Sequence, residues 1–329
     1  MKNSGSRLCT SEISVVIPTH NRHGALKQSV RSVFAQSVLP KELIVLDDGS
    51  APPVEESVFQ GAPWGLKVLL LSVGTPRGAA AARNVGVEHA SGDWIAFLDD
   101  DDAFMPEKIR DVSAAICRNP DAGLVYHPAE IRMVRENINY LSGAGSLAEG
   151  TDQTRQLLVR NLVGGTSMVV VKRACLLGAG GFDPDLPAIE DHDLWIRLSL
   201  KGHRFFFVDK PLTRYHHDTA STSLTHSFEK EETAQALMMR KYAKEYATLN
   251  KGEIRAMELH RLRGKAFKAL LNRRLGMAFR WQSRAFLHGF RLRDLAGLLV
   301  IPFGLKAVFR MRSLGGRSLR ISEESDSIH

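Results

Sequence analysis

Short apolar runs alternate with helical segments over the first third of this chain, and this alternation limits its possible folds. Residues 14–17, 43–46, 66–71 and 94–98 are mostly apolar runs of strand length. Residues 26–38 repeat apolar side chains at helical spacing, and residues 78–92 form a second helical segment. Buried strands separated by helices predict an α/β fold: a Rossmann-like, mostly parallel sheet with helices on both faces.

Three polar segments follow strands of this predicted sheet. Residues 19–22 read Thr-His-Asn-Arg, residues 47–50 read Asp-Asp-Gly-Ser, and residues 99–102 are four aspartates. Each segment alone suits ordinary turn chemistry. The carboxyl ends of parallel strands share one edge, however, and ligands of α/β sheets bind there. The sequence therefore predicts a ligand site at this edge, although it contains neither a GxGxxG motif nor a P-loop.

The four consecutive aspartates need a counter-charge. They follow the buried strand at residues 94–98, and like charges packed together resist ionisation unless a cation lies against them. Mg²⁺ or Mn²⁺, which prefer oxygen ligands and often bind together with a phosphate, would supply that charge. The alternatives are a solvated acidic loop, or a helix N-terminus with Pro106 in its first turn and Asp102 as its cap.

Basic residues are concentrated in the last third of the 329-residue chain. Residues 1–224 contain 23 Lys and Arg against 26 Asp and Glu, whereas residues 225–329 contain 21 against 10. Basic and apolar residues alternate from 260 to 310, and the longest apolar run, 295–305, is too short to cross a bilayer. This pattern suits either an anionic membrane surface or packing on the rest of the chain or a partner subunit. No nucleic-acid recognition module is present, so we expect no nucleic-acid partner.

The segments described above resemble the inverting, nucleotide-sugar-dependent glycosyltransferases of family 2, which have the GT-A fold. The resemblance covers residues 13–223 and rests on an ordered set of motifs at 15–22, 47–50, 82–86, 97–102, 180–183, 190–195 and 214–217. It implies a GT-A domain at 13–223, with a nucleotide-sugar-binding half at 13–127 and an acceptor half at 128–223. A disordered N-terminus at 1–12 would precede it, and a basic helical extension at 224–329 would follow.

The resemblance also implies where the donor lies. In similar enzymes the Pro-Thr-x-Asn-Arg segment and the second Asp of Asp-Asp-Gly-Ser hold the nucleoside, usually uridine. A helix-borne arginine lies near the diphosphate, where a cation and a helix N-terminus are both favourable. The expected donor-binding residues are Pro18, Thr19, Asn21, Arg22, Asp48, Arg83, Asp99 and Asp100.

Metal-binding residues follow from the same resemblance. Asp101 is the first candidate for contact with Mn²⁺ or Mg²⁺, and Asp99 is a second ligand. His217, or else His216, is the candidate for a further ligand.

The acceptor half contains the expected catalytic residue. Asp191 would be the general base that removes the proton of an acceptor hydroxyl, with His192 as the alternative base. Glu190 and Trp195 are expected on the acceptor side. The reaction would be a single displacement from a UDP-linked sugar to a glycan or lipid-linked acceptor, in cell-envelope polysaccharide synthesis.

Two other functional classes remain open from the sequence. A nucleotidyltransferase also uses paired carboxylates on a Rossmann-like sheet, but it needs a glycine-rich, basic loop after the first strand, and residues 18–23 do not form one. A non-catalytic, basic membrane-surface binding module would explain the C-terminal region but not the acidic strand ends. The N-terminus leads into no apolar segment typical of a secretory signal, so we expect a cytoplasmic protein, either free or bound to the inner face of the cell membrane.

Overall fold

Strands and helices alternate at the start of the fold, as the sequence predicts. The structure is a computed structural model that describes residues 12–134, 136–142, 144–147, 152–216 and 223–314. The predicted disordered N-terminus lies almost entirely outside the described residues. The first elements are β1 (Ile13–Thr19), α1 (His23–Phe34), β2 (Glu42–Asp47), β3 (Lys67–Ser72), α2 (Ala79–His89), β4 (Trp94–Phe97), β5 (Ala103–Phe104) and α3 (Lys108–Arg118).

The rest of the chain first continues this mixture and then becomes entirely helical in its described part. The middle elements are β6 (Ala122–Tyr126), β7 (Ala129–Met133), β8 (Ile138–Leu141), α4 (Gln153–Val159), β9 (Val169–Lys172), α5 (Arg173–Gly178), α6 (Glu190–Leu200), β10 (Arg204–Phe207) and β11 (Thr213–His216). The C-terminal helices are α7 (Ser223–Lys241), α8 (Ala243–Tyr246), α9 (Lys251–Leu271), α10 (Leu275–Gly289), α11 (Leu292–Val300) and α12 (Gly304–Leu314).

The central sheet has seven strands in the order β10-β6-β9-β4-β1-β2-β3. The pairs β1–β2, β1–β4, β2–β3 and β6–β10 are parallel. Strand β9 runs antiparallel to both of its neighbours, β4 and β6. The predicted α/β class with a mostly parallel sheet is therefore confirmed, and β9 is the one antiparallel strand described in this central sheet.

A second, four-stranded sheet was not predicted from the sequence. Its order is β5-β11-β7-β8. Strand β5 has two residues and pairs antiparallel to β11, with Phe104 opposite Thr213. This pairing holds the segment after β4 beside β11, and it brings His216 close to the aspartate run.

Both faces of the central sheet are buried by apolar side chains. One core cluster joins β1 and β2 to α1 and α3, and the other joins the opposite face to α2, α5 and α6. Helix α2 lies directly against β1 because Gly86 has no side chain: a Cβ there would lie 2.4 Å from Val16 Cγ1. This close approach fixes the start of α2 near the carboxyl ends of β1 and β4.

The C-terminal helices pack onto the rest of the fold. Ala234, Met238 and Tyr242, from α7 and the residue after it, lie in the same core cluster as Leu194 and Trp195 of α6. Helices α9 and α12 cover the second sheet through Phe267, Leu271 and Phe309, and the ring of Phe309 lies 4.9 Å from that of Tyr140. Within the described part of the chain, no helix combines the length and apolarity needed to cross a membrane.

Candidate active site

The polar ends of β1, β2 and β4 meet at one edge of the central sheet, as predicted. The register places Thr19 beside Asp47 on β1 and β2, while β4 lies on the other side of β1. Thr19 Oγ1 donates to Asp100 Oδ2 at 2.7 Å, and both side chains are buried. Pro18 is buried within β1, so it shapes the strand end rather than offering a polar contact.

Asn21 connects the loops that follow β1 and β2. It adopts a left-handed conformation (φ 57°), which Asn tolerates better than most residues. Its backbone N–H donates to Ser50 Oγ at 2.9 Å, and its Oδ1 accepts from Ala51 N at 2.7 Å. His20 adds a bond from Nδ1 to the backbone oxygen of Asp48 at 2.8 Å. Asn21, predicted to bind the donor, therefore also braces the loop against which a donor would lie.

Asp48 fixes the segment before α2. Its carboxylate is buried and accepts from the backbone N–H groups of Arg77 at 2.9 Å and Gly78 at 2.8 Å. Gly78 precedes α2 with φ 90°, a conformation that favours glycine. The predicted donor-binding carboxylate thus shapes the helix start that faces the strand ends.

Arg22 supplies positive charge to the middle of the aspartate run. Its Nη1 lies 2.5 Å from Asp101 Oδ2 and 3.2 Å from Asp100 Oδ1. Burial raises the pKa of Asp100 and of Asp101, while the charge of Arg22 opposes the rise in both. The pKa of both carboxyls remains raised, so the half-exposed guanidinium of Arg22 does not fully offset the cost of burying these charged groups.

Asp102 is the most deeply buried of the four aspartates. Its Oδ1 accepts from His216 N at 3.2 Å, and its Oδ2 has no hydrogen-bond partner among the described residues. Burial, and then repulsion from Asp99, hold its pKa well above the usual range. Asp102 does not cap α3, because β5 intervenes and the N-cap of that helix is Glu107. The alternative interpretation of this run as a simple helix start is therefore wrong.

A buried lysine lies near this carboxyl and was not predicted. Lys108 Nζ donates to Ser167 O at 2.7 Å and to Thr213 Oγ1 at 3.2 Å. Burial lowers its pKa well below the usual range, although the charge of Asp102 opposes the change. Lys108 thus links three parts of the chain: α3, the segment just before β9, and β11. It therefore helps to position the backbone around the aspartates.

The charge of the aspartate cluster suits the predicted metal ion, but the positions of its described side chains do not form a metal site. Among the described residues, no group of three or more His, Cys, Asp or Glu side chains is arranged to hold a metal ion. Asp99 is bonded to an arginine, as is Asp101, and His216 Nδ1 donates to the backbone oxygen of Asp101 at 2.9 Å. His217 lies outside the described residues. The crowded carboxyls would be stabilised by a divalent cation. For Asp99 and Asp101 to bind it, however, their arginine partners would have to move away from the carboxylate oxygens.

Arg83 joins the acidic strand edge to the start of α6. Its buried guanidinium donates from Nη2 to Asp99 Oδ1 at 2.7 Å and from Nη1 to Glu190 Oε1 at 2.9 Å. Burial lowers the pKa of Arg83, but the charges of Asp99 and Glu190 outweigh that effect and the net shift is upward. Its Nε–H has no partner among the described residues. Glu190, predicted on the acceptor side, thus shares a buried guanidinium with Asp99 of the acidic strand edge.

The residue after Arg83 positions the segment before α6, a role that sequence reasoning missed. The Asn84 side chain donates to Phe182 O and accepts from Phe182 N, both at 2.8 Å. A Cβ on Gly181 would lie 2.5 Å from Asn84 Oδ1, and Gly181 has φ 68°. Glycine is therefore required at this turn, where α2 holds the segment that leads to α6.

Asp191 lies in the first turn of α6. Ile189, just before this helix, adopts a left-handed conformation (φ 54°) that is rare for a β-branched residue. Asp191 Oδ1 accepts from His192 N at 2.6 Å. Burial, and then the charge of Glu190, raise the pKa of Asp191 to about 7. A carboxylate with this pKa is a much stronger base than an ordinary aspartate, and it is ionised above neutral pH.

The two neighbours predicted with Asp191 are engaged elsewhere. His192 Nε2 donates to Leu157 O at 2.7 Å, and burial lowers the pKa of its ring. Trp195 is fully buried, and its Nε1 donates to Gly164 O at 3.0 Å. Trp195 therefore holds the loop at 163–165 in place from the buried side. A Cβ on Gly165 would lie 3.9 Å from Asp191 Oδ2, so this loop borders the candidate base.

Asp193 anchors the C-terminal region to α6, and no sequence signal pointed to it. Its buried carboxylate accepts from Tyr242 O–H at 2.6 Å and from Arg197 Nε at 2.8 Å, and it pairs with Lys241 Nζ at 2.8 Å. Tyr242 follows α7, whereas Asp193 lies two residues after the candidate base. The position of α6 thus depends directly on the C-terminal helices.

The geometry thus combines a mostly parallel sheet, an acidic strand edge and a partly buried carboxyl, Asp191, at the start of α6. The family model for glycosyl transferase family 2 matches residues 14–174. An uncharacterized glycosyltransferase of Haemophilus influenzae is 34% identical over 61% of this chain and 67% of its own length. This chain belongs to glycosyltransferase family 2, and it is a glycosyltransferase.

Two further relatives have more specific names. The UDP-Glc:alpha-D-GlcNAc-diphosphoundecaprenol beta-1,3-glucosyltransferase WfgD of Escherichia coli is 30% identical over 56% of this chain and 69% of its own length. The amylovoran biosynthesis glycosyltransferase AmsB of Erwinia amylovora is 28% identical over 62% of this chain and 69% of its own length. Some relatives of this enzyme thus act in polysaccharide biosynthesis.

Proposed function

We propose that this enzyme transfers a sugar from a UDP-linked donor to a hydroxyl of a glycan or lipid-linked acceptor, with inversion at the anomeric carbon. The observation that carries the proposal is the position of Arg83. Its guanidinium bonds to Asp99 at the acidic strand edge and to Glu190 beside Asp191. A donor bound at the acidic strand edge and an acceptor bound near α6 would then lie on either side of the Arg83 guanidinium.

The donor side of the proposal assigns a role to each part of the sheet edge. Thr19, Asp48 and Asp100 would surround the nucleoside, and Arg22 would lie beside it. Arg83 has one N–H without a partner among the described residues, and the N-terminus of α2 lies nearby, so both favour an anionic diphosphate. The UDP preference is supported by the relative whose name specifies UDP-Glc as its donor.

A divalent cation is the proposed cofactor. Asp101 and Asp99 would hold Mn²⁺ or Mg²⁺, with His217 or His216 as a further ligand. Such an ion, when bound, neutralises charge on the leaving nucleoside diphosphate. The raised pKa of Asp100, Asp101 and Asp102 supports this assignment, because burial and repulsion between the carboxyls disfavour their charged forms and a bound cation would offset that cost.

Asp191 is the proposed general base. The acceptor hydroxyl would donate its proton to Asp191 as the oxygen attacks the anomeric carbon from the face opposite the diphosphate. The raised pKa suits this role near neutral pH. Residues 13–127 would then form the donor half and residues 128–223 the acceptor half.

The acceptor is proposed to be lipid-linked, in cell-envelope polysaccharide synthesis at the cytoplasmic leaflet. One relative is named for a diphosphoundecaprenol-linked acceptor and another for the biosynthesis of amylovoran. Residues 260–310 would face the membrane in this proposal.

Calorimetric titration with UDP tests the donor site. We expect UDP to bind more tightly with Mn²⁺ than with EDTA, and Asp101→Ala to remove the difference. Lys210→Ala is a matched control, because its charge lies at the surface in a pair with Asp111 outside the candidate site. If EDTA and Asp101→Ala leave UDP affinity unchanged, the metal role is wrong; if UDP does not bind at all, the donor assignment is wrong.

A further inference from the structure

Exposed apolar side chains are concentrated in α10, α11 and the turn that follows. Large apolar side chains of soluble domains are usually buried, and a contiguous exposed group marks an interaction site. Leu292 is 84% exposed and Phe303 is 78% exposed. We call the group the α11 surface, and its members are Leu287, Phe290, Leu292, Leu295, Leu299 and Phe303.

Helical geometry places the central members of this group on one side of α11. Leu292, Leu295 and Leu299 are spaced by three and four residues, so they form one stripe along the helix. The opposite side is buried: Asp294 bonds to Arg263 of α9, and a Cβ on Gly297 would lie 2.8 Å from the side chain of Gln282. The stripe therefore points away from the fold.

The surroundings of the α11 surface are strongly basic. Residues 272–310 contain eight Lys and Arg and a single acidic residue, Asp294. That carboxylate is buried and paired with Arg263, so it does not reduce the positive charge outside. Arg291 and Arg293 are exposed and lie on either side of the leucine stripe when the helix is viewed along its axis.

We propose that the α11 surface docks the enzyme onto an anionic lipid bilayer, with the apolar stripe in the headgroup region and the arginines against the lipid phosphates. This combination of an apolar face with basic flanks is that of helices that lie in a membrane interface. The proposal rests on the proposed function and deepens it, because it orients the enzyme towards a lipid-linked acceptor.

The charge of this region distinguishes the membrane from other occupants. A second copy of the chain, related by a two-fold axis, would bring two strongly basic patches against each other, which is unfavourable. Nucleic acid would satisfy the arginines but would leave the leucine stripe exposed to water. An anionic bilayer matches both parts of this surface, because its phosphates pair with the arginines and its apolar interior accepts the leucine stripe.

Vesicle co-sedimentation with the full chain tests the proposal. The variant Leu292→Glu/Leu299→Glu changes two outward side chains, and folding should be unaffected because both are already exposed. Leu177→Glu is the matched control, since Leu177 is an exposed leucine of α5 outside the α11 surface. Each protein is mixed with phosphatidylcholine vesicles, with or without phosphatidylglycerol, at low and high salt. Analytical ultracentrifugation without lipid reports the oligomeric state.

We expect the wild-type enzyme and Leu177→Glu to sediment with anionic vesicles at low salt and much less with neutral vesicles. The double variant should bind anionic vesicles at least about tenfold more weakly than the wild-type enzyme. Equal binding by the double variant, or a wild-type chain that stays in the supernatant, overturns the proposal. So does a wild-type dimer that the double variant abolishes, because a second copy would then occupy the surface. UDP binding is measured in parallel, so failure of the donor assignment is seen separately.

Discussion

Replacing Asp191 with Asn removes the proposed base but keeps a side chain of nearly the same shape at the start of α6. Loss of a positioned general base typically costs about two to four orders of magnitude in turnover. UDP affinity should stay within about twofold, because Thr19, Asp48 and Arg83 bond to groups other than Asp191. The measurements are kcat for sugar transfer and calorimetric titration with UDP.

The pH dependence gives a second readout of the same residue. The base must be ionised, so kcat/KM should rise with pH and level off above about 7, the pKa of the Asp191 carboxyl. Below that value the rate should fall about tenfold per pH unit. Glu190→Gln removes the neighbouring charge that helps to raise this pKa, so it should move the rising limb to lower pH.

The same pKa predicts a stability change with a definite sign. An acid whose pKa is raised from 3.8 to about 7 loses stability as the pH rises through this interval, because the folded state disfavours the charged form. The shift corresponds to about 4 kcal/mol at most, and partial exposure of Asp191 reduces the penalty to about 1–2 kcal/mol. Asp191→Asn should therefore melt about 2–4 °C higher than wild type at about pH 8. The gain should vanish below pH 3.8, where the carboxyl is protonated in both states.

Two results would refute this reasoning. If Asp191→Asn also loses UDP binding, Asp191 is a donor contact or a structural residue. If the variant loses turnover but wild-type kcat/KM shows no rising limb near neutral pH, Asp191 is not the group whose ionisation limits the reaction.

Three other predictions test how the site is held together. Arg83→Gln should weaken UDP binding about tenfold or more in calorimetry, because the diphosphate loses the buried guanidinium proposed to contact it; unchanged affinity would exclude a donor role. Tyr242→Phe should cost about 1–2 kcal/mol of unfolding free energy in denaturant titration and lower kcat, since Asp193 loses its 2.6 Å bond; an unaltered enzyme would mean that α6 does not depend on this contact. Gly181→Ala should destabilise the fold by about 1–3 kcal/mol, because its Cβ would lie 2.5 Å from Asn84 Oδ1; a neutral change in melting temperature would contradict the turn geometry.

The sequence predicted the elements whose signals are local. Apolar runs ended by Pro18 or by the aspartate run identified β1 and β4, and the carboxyl-edge rule for parallel strands placed Asp48 and Asp99 at the same edge. Both strands and their shared edge are confirmed, although β1 continues through Pro18 to Thr19. Strand length, burial and turn residues are encoded within a few positions of each other.

Contacts between distant segments could not be predicted in the same way. Strand β5 has two residues, too few for any periodic signal, yet its pairing with β11 brings His216 beside Asp102. The contact of Arg83 with Glu190 spans 107 positions, and that of Asp193 with Tyr242 spans 49. Such partners depend on tertiary packing, which single-residue patterns do not specify.

The most direct test of the central claim is release of nucleoside diphosphate from a panel of nucleotide-sugars. Wild-type enzyme and Asp191→Asn are incubated with each donor, Mn²⁺ and an envelope lipid extract as the source of acceptor, and the free nucleoside diphosphate is measured. We predict release from a UDP-linked sugar by the wild-type enzyme and little release by the variant. Equal release by the two proteins, or no release from any nucleotide-sugar by folded wild-type enzyme, would contradict it.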